Sequence, residues 1–150
     1  MQLKKVKMPG TGRMIINFSV QANSVAGDFN MVSKDEPAPE LKQAMEEIIP
    51  HALKICELPE KGETRVIGLS FSYHGDDNNM AVIISFKRKL SIGNAWITIN
   101  TPMKYIERGE STIPESQVLE EGGGEIVKEI IEQTKEYING VREQTNLFSE

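Results

Sequence analysis

Cysteine is almost absent from this 150-residue sequence: Cys56 stands alone, so the chain can form no internal disulfide and no cysteine-based metal cluster. Long apolar runs are missing as well, since no stretch of about 18 apolar residues occurs. The basic first residues are followed by neither an apolar segment nor a small-residue cleavage site. The sequence therefore predicts no membrane span and no secretory signal. We expect one globular domain in a reducing cytoplasm.

Histidine is scarce too, and His74 is the one that lies beside carboxylates, in His74-Gly75-Asp76-Asp77. Such a cluster suits metal ligation or acid–base chemistry. The same Gly-Asp-Asp-Asn-Asn composition is what a tight hairpin turn requires, and without a second ligand cluster the turn is favoured. The glycine-rich stretches PGTG and EGGGE lack the spacing of phosphate-binding loops. The sequence thus predicts no catalytic, cofactor or metal site, and we expect a protein that is not an enzyme.

Alternating apolar and polar residues predict six strands, at 3–8, 13–22, 28–33, 65–73, 80–90 and 95–100. In the strand at 65–73, the alternation places the apolar residues together on one side. These residues are Ile67, Leu69, Phe71 and Tyr73.

Apolar residues at helical spacing predict two amphipathic helices, at 40–58 and 125–139. Pro50 is expected to kink or divide the first helix, and Gly140 to end the second. The glycines at 122–124 suggest a flexible hinge before the second helix. The resulting order, β-β-β-α-β-β-β-α, predicts an α+β fold in which both helices lie on one face of a mostly antiparallel sheet. We assign this domain to 1–140 and a C-terminal tail to 141–150.

Charge is divided between the predicted strands and helices. The strand-rich segments 1–34 and 64–106 have net charges of +4 and +3, whereas 35–63 and 107–150 have net charges of −5 and −7. If the helices cover one sheet face, the other face is basic and rich in hydroxyl groups. Lys87, Arg88, Lys89 and Trp96 are then candidate contacts for single-stranded DNA, because such a surface stacks bases and binds phosphates. Ordinary polar patterning of a solvent-facing sheet remains the alternative.

The tail contains Gln144-Thr145-Asn146-Leu147-Phe148. This stretch resembles the bacterial sliding-clamp-binding peptide, which is built on Gln-x-x-Leu-Phe. The resemblance implies that Gln144 is the polar anchor and that Leu147 and Phe148 fill a hydrophobic pocket of the host DNA polymerase sliding clamp. Thr145 and Asn146 depart from the Leu, and from the Ser or Asp, that the motif often has there. The alternative stays open that Leu147 and Phe148 pack onto their own sheet or onto a second subunit.

Three stretches, VIGLSFSYHGDDNNMAVIIS, ITINTPMKYI and YINGVREQTNLF, are similar to small proteins that tailed phages and prophages encode near replication or recombination genes. That family has no established activity, so the resemblance implies context and a bacterial host cytoplasm. The expected function is that of a non-enzymatic accessory protein of phage DNA replication or recombination, which recruits the clamp and binds single-stranded DNA. The alternative is an inhibitor that blocks a host defence or DNA-processing protein through the acidic residues of 107–150.

Overall fold

The structure is a computed structural model that describes residues 1–8, 13–22, 25–109 and 113–140. In chain order its elements are β1 (Gln2–Lys7), β2 (Met14–Ala22), β3 (Val25–Ser33), α1 (Pro39–Glu47), α2 (Ile49–Ile55), β4 (Thr64–His74), β5 (Asn79–Lys89), β6 (Trp96–Asn100), β7 (Lys104–Tyr105) and α3 (Gly123–Ile138). A single 3₁₀ turn at Glu115–Gln117 precedes α3. Among the described residues, none of the helices combines the length and the apolar character that a membrane crossing requires.

The strands of the described residues form one antiparallel sheet, ordered β3-β2-β1-β4-β5-β6, with β7 also paired to β5. β1 and β4 lie side by side at its centre, so each half of the chain contributes one side of the sheet. All the helices pack on the same face, where apolar side chains from both halves meet. The α+β fold and the order of elements predicted from the sequence are confirmed.

The core lies between the sheet and the helices. Its buried residues include Val6, Ile16, Leu69, Ile84 and Phe86 from strands, Leu41, Leu53, Val127 and Ile130 from helices, and Ile48 between α1 and α2. The predicted first helix is divided, as expected: α1 ends before Ile48, and Pro50 lies in the first turn of α2, where its missing N–H leaves no helical hydrogen bond unmade. The Tyr137 hydroxyl of α3 donates to the Asp35 carbonyl at 2.6 Å.

The beginning of α3 corrects one prediction. Gly123 and Gly124 are the first residues of the helix, and a Cβ added to Gly124 would lie 2.6 Å from the Ile106 carbonyl oxygen. No side chain fits at that distance, so glycine is required here by a close approach between backbones. The prediction of a flexible hinge at 122–124 is therefore wrong.

The turn after β4 and the end of α3 agree with the predictions from the sequence. Between β4 and β5 the Asn78 N–H donates to the Gly75 carbonyl at 3.2 Å, and both residues have positive φ angles, 53° and 76°. Glycine and asparagine tolerate this conformation, so the hairpin turn predicted after His74 is confirmed. Gly140, with φ of 107°, donates its N–H to the Tyr137 carbonyl and ends α3 as predicted.

Candidate nucleic-acid interface

The sheet face opposite the core carries no helix of the described residues, and we call it the open face. Residues that pair directly across antiparallel strands point to the same side, so the strand register defines its members. Its polar, charged and aromatic members include Lys5, Lys7, Asn17, Ser19, Asp28, Arg65, Ser70, Ser72, Ser85, Lys87, Lys89, Trp96, Thr98 and Asn100, and its apolar members include Ile15, Val32, Ala81 and Ile83. The open face is therefore mostly polar, and among these residues cations outnumber carboxylates.

Trp96, the only tryptophan of the chain, begins β6 at one end of the open face. Its ring is half-buried, and two cations lie near it: the Arg65 guanidinium carbon at 5.2 Å and Lys87 Nζ at 5.1 Å from the ring centroid. Each cation is attracted to the negative face of the aromatic ring, by about 0.5–1 kcal/mol at an exposed site. Three strands thus contribute to one aromatic and cationic cluster, which we call the Trp96 cluster.

Arg65 is the member of this cluster that the sequence did not indicate. Strict alternation along β4 gives Arg65 the same side as Leu69, in the core. The register shifts between Val66 and Gly68, where Ile67 forms a β-bulge. Val66 therefore packs against the core in place of Ile67, and Arg65 turns to the open face. A bulge leaves no mark in the apolar pattern, so only the observed register reveals this residue.

The open face also carries lysines without an acidic partner among the described residues. Within the described residues, four lysines of the open face make no ion pair. They are Lys5, Lys7, Lys87 and Lys89. Two other cations on this side are paired, since Lys4 contacts Asp28 at 3.2 Å and Arg65 contacts Glu63 at 2.6 Å. The open face thus keeps a positive charge that its own carboxylates do not neutralise.

The structure separates Arg88 from the other predicted contacts. Side chains alternate along β5, so Lys87 and Lys89 share the open face while Arg88 projects to the side of the helices. The Lys89 backbone pairs with that of Trp96, which places this lysine beside the cluster. Of the four residues predicted from the sequence, three lie together and Arg88 does not.

A second aromatic group occupies the far end of the open face. Tyr105 pairs with Ala81, and its ring meets the His74 ring edge-to-face at 5.9 Å between centroids. His74 Nε2 lies 2.8 Å from the Ser72 hydroxyl oxygen. Ala81 and Lys89 are eight residues apart on β5, so about 26 Å of sheet separates the two aromatic ends.

The side chains of the described residues that could bind a metal or act in catalysis do not form a cluster. The described residues contain no cluster of three or more side chains able to hold a metal ion. Burial raises the pKa of the Cys56 thiol, which disfavours the reactive thiolate. His51 faces Glu120, with Nδ1 at 3.5 Å from the carboxylate, and Glu120 is already bound to Lys54 at 2.8 Å.

The clamp-binding residues predicted from the sequence, Gln144, Leu147 and Phe148, lie outside the described residues. The candidate interface within the described residues is the open face, with the Trp96 cluster at one of its ends. Comparisons with models of protein families, with curated proteins and with solved structures give no match.

Proposed function

We propose that this protein binds single-stranded nucleic acid on its open face. The observation that carries the proposal is Trp96 with the Arg65 and Lys87 cations about 5 Å from its ring, on a sheet face that no helix of the described residues covers and where Lys87 and Lys89 have no acidic partner among those residues. An aromatic ring offers a stacking platform to any base, and the surrounding cations bind the phosphate backbone. Recognition of this kind depends little on base sequence.

The energies favour exchange of one cation for a base. Each cation near Trp96 gains about 0.5–1 kcal/mol at an exposed site, whereas a stacked base gains about 1–3 kcal/mol. A base can therefore displace Lys87 from the ring, while Arg65 keeps its hydrogen bond to Glu63. The displaced cation stays within reach of the adjacent phosphate, so its favourable interaction is transferred rather than lost.

The net charge of −5 does not oppose this binding, because Asp28 and Glu63 on this side are paired with Lys4 and Arg65 and the glutamates of α3 lie on the other side of the sheet. The glutamates of α3 are exposed on the helix layer, behind the sheet. A helix is about 10 Å across, and the Debye length at physiological salt is about 8 Å. Nucleic acid on the open face is thus screened from the helix glutamates but not from the lysines it contacts.

The fluorescence of Trp96 gives a direct test, because no other tryptophan contributes to it. A single-stranded oligonucleotide of about 16 nucleotides should quench this fluorescence as bases stack on the ring. By anisotropy of a labelled oligonucleotide, Trp96→Ala should bind about 5- to 150-fold more weakly, and Trp96→Phe should retain most of the affinity. Thr98→Ala, on the same strand and face, is the matched control. Absence of quenching, or equal binding by Trp96→Ala, would refute the proposal.

The wider role that we propose is that of a non-enzymatic accessory protein in phage DNA replication or recombination. The tail motif supports it, since Gln144, Leu147 and Phe148 would tether the protein to the host sliding clamp near single-stranded DNA. Clamp binding by the full chain should be lost in Leu147→Ala/Phe148→Ala and kept in Asn146→Ala, because apolar anchors dominate such contacts. Oligonucleotide binding should be the same in all three proteins. Equal clamp binding by both variants would exclude this use of the tail.

A further inference from the structure

Arg88 enters a cavity on the side of the sheet away from Trp96. The cavity has a volume of about 670 Å³ and lies beyond the end of α2, where Leu58, Pro59 and Leu90 form an apolar part of its wall. This volume lies within the range of small-molecule binding sites. We call it the Arg88 pocket.

The fold holds the Arg88 side chain in a defined position. A Cβ added to Gly62 would lie 3.1 Å from Arg88 Nη2 and 3.4 Å from Nε, so the guanidinium lies directly against the glycine backbone. Gly62 has a φ of 109°, which side-chain-bearing residues rarely adopt. The turn before β4 thus leaves a space that the planar guanidinium fills. One edge of this group is fixed against the chain.

The other side of the Arg88 guanidinium, at Nη1, lacks hydrogen bonds within the described residues. Nη1 is buried and has no hydrogen-bond partner among the described residues. The carboxylate in the pocket wall, Glu63, instead accepts a hydrogen bond from Arg65 at 2.6 Å. Thr64, directly across the strand pair from Arg88, also has a buried hydroxyl without a partner there. Buried unpaired donors are costly, so a ligand that supplies acceptor oxygens is favoured at this place.

We propose that the Arg88 pocket binds a phosphate monoester. Arg88 donates hydrogen bonds to the phosphate oxygens, the geometry for which a guanidinium is best suited. Lys61 and Lys89 also line the pocket, and its single carboxylate, Glu63, is engaged by Arg65. Three cations match a dianionic phosphate better than a singly charged carboxylate, and the apolar wall accommodates the organic part of the ester. Lys89 belongs to both this pocket and the open face, but Trp96 does not line the pocket, so Arg88 and Trp96 variants test the two proposals separately.

Calorimetric titration of the full chain with phenyl phosphate and with inorganic phosphate tests the site, with sodium chloride at matched ionic strength as the blank. Phenyl phosphate should bind more tightly, because its ring meets the apolar wall. Arg88→Met should weaken binding of both by about 10- to 100-fold, and Arg88→Lys should have an intermediate effect because it lacks the planar fork. Lys128→Met, which removes a cation of α3 that contacts Glu107 at 3.0 Å and does not line the pocket, is the control and should bind normally. Absence of phosphate binding by the wild-type protein would overturn the proposal.

Melting temperature distinguishes a ligand site from a packing role. Arg88→Met removes the unpartnered Nη1 donor and should not lower the melting temperature, whereas phosphate should raise it in the wild-type protein and not in Arg88→Met. A lower melting temperature in Arg88→Met with unchanged phosphate affinity would overturn the proposal. If Arg88→Met does not fold, Arg88→Lys supplies both comparisons, since it keeps the stem and the charge.

The source of the phosphate is decided by two oligonucleotides that differ only in a 5′-phosphate or a 5′-hydroxyl. Tighter binding of the phosphorylated strand, lost in Arg88→Met, would assign the pocket to strand ends. Equal binding of both strands, together with phenyl phosphate binding, would assign it to small phosphate esters. Trp96→Ala should leave phenyl phosphate binding unchanged, so failure of either proposal is visible without the other.

Discussion

Salt dependence provides the sharpest test of the open face, because the structure gives the number of cations that contribute. Four lysines lack an acidic partner among the described residues, namely Lys5, Lys7, Lys87 and Lys89. Each cation that contacts a phosphate releases counterions, which changes the slope of log K against log salt by about −0.7 on a single strand. If all four contribute, the slope is about −2.8. Between 50 and 200 mM salt the affinity should then fall about 50-fold.

The perturbation is neutralisation of Lys87 and Lys89 by methionine, which keeps the aliphatic stem. Each single variant should reduce the steepness by about 0.7, and the double variant should have a slope of about −1.4. Its affinity should fall only about sevenfold over the same salt range. Anisotropy titrations of one labelled strand at three or four salt concentrations measure these slopes.

Two controls separate this effect from overall charge and from stacking. Lys128 lies on α3, where it contacts Glu107 at 3.0 Å, so Lys128→Met should leave the slope unchanged. Trp96→Ala should lower the affinity at every salt concentration by the same factor, because stacking releases no counterions. A slope near zero in the wild-type protein, or an equal change in Lys128→Met and Lys87→Met, would refute the assignment of the open face.

Two further predictions concern stability. The hydrogen bond and charge of Lys54 hold the pKa of Glu120 below its usual value. The stabilisation from this pair is therefore present above about pH 4.5 and is lost as the pH falls. Glu120→Gln should melt at a lower temperature than the wild type near pH 7, and the difference should vanish in acid. A pH-independent difference would contradict this assignment. Gly124→Ala should be about 1–3 kcal/mol less stable than Gly123→Ala. The methyl group added at residue 124 meets the Ile106 carbonyl, whereas the one added at residue 123 meets side chains that can move. Chemical denaturation of the two variants measures the difference in the free energy of unfolding. If Gly124→Ala is as stable as Gly123→Ala or more stable, the prediction of a flexible hinge at 122–124 would be supported after all.

The elements of this fold could be predicted because their signals are local. Period-two alternation marks the strands, and the proline and glycine positions mark the division and the end of helices. The prediction of a hinge at 122–124 was wrong because composition cannot distinguish glycines in a flexible segment from glycines that a close backbone contact requires. What fixes Gly124 is the Ile106 carbonyl, 18 residues earlier in the chain, and such a contact appears only when the helix is docked.

The candidate site was predictable only in part. Lys87, Lys89 and Trp96 follow from alternation once the strand pairing is known, but the sequence does not specify which face the tryptophan takes. Arg88 was grouped with its neighbours along the chain, although adjacent residues of a strand point to opposite faces. Arg65 was missed because the bulge at Ile67 reverses the alternation between it and Leu69.

The division of charge between the two layers has a consequence for an array of bound molecules. A strand held on the open face would be covered by copies whose outer layer is α1 and α3, with exposed glutamates such as Glu46 and Glu129. The coated strand would keep the negative sign of bare nucleic acid. Two coated strands would therefore repel each other, and coating would keep them apart instead of cross-linking them.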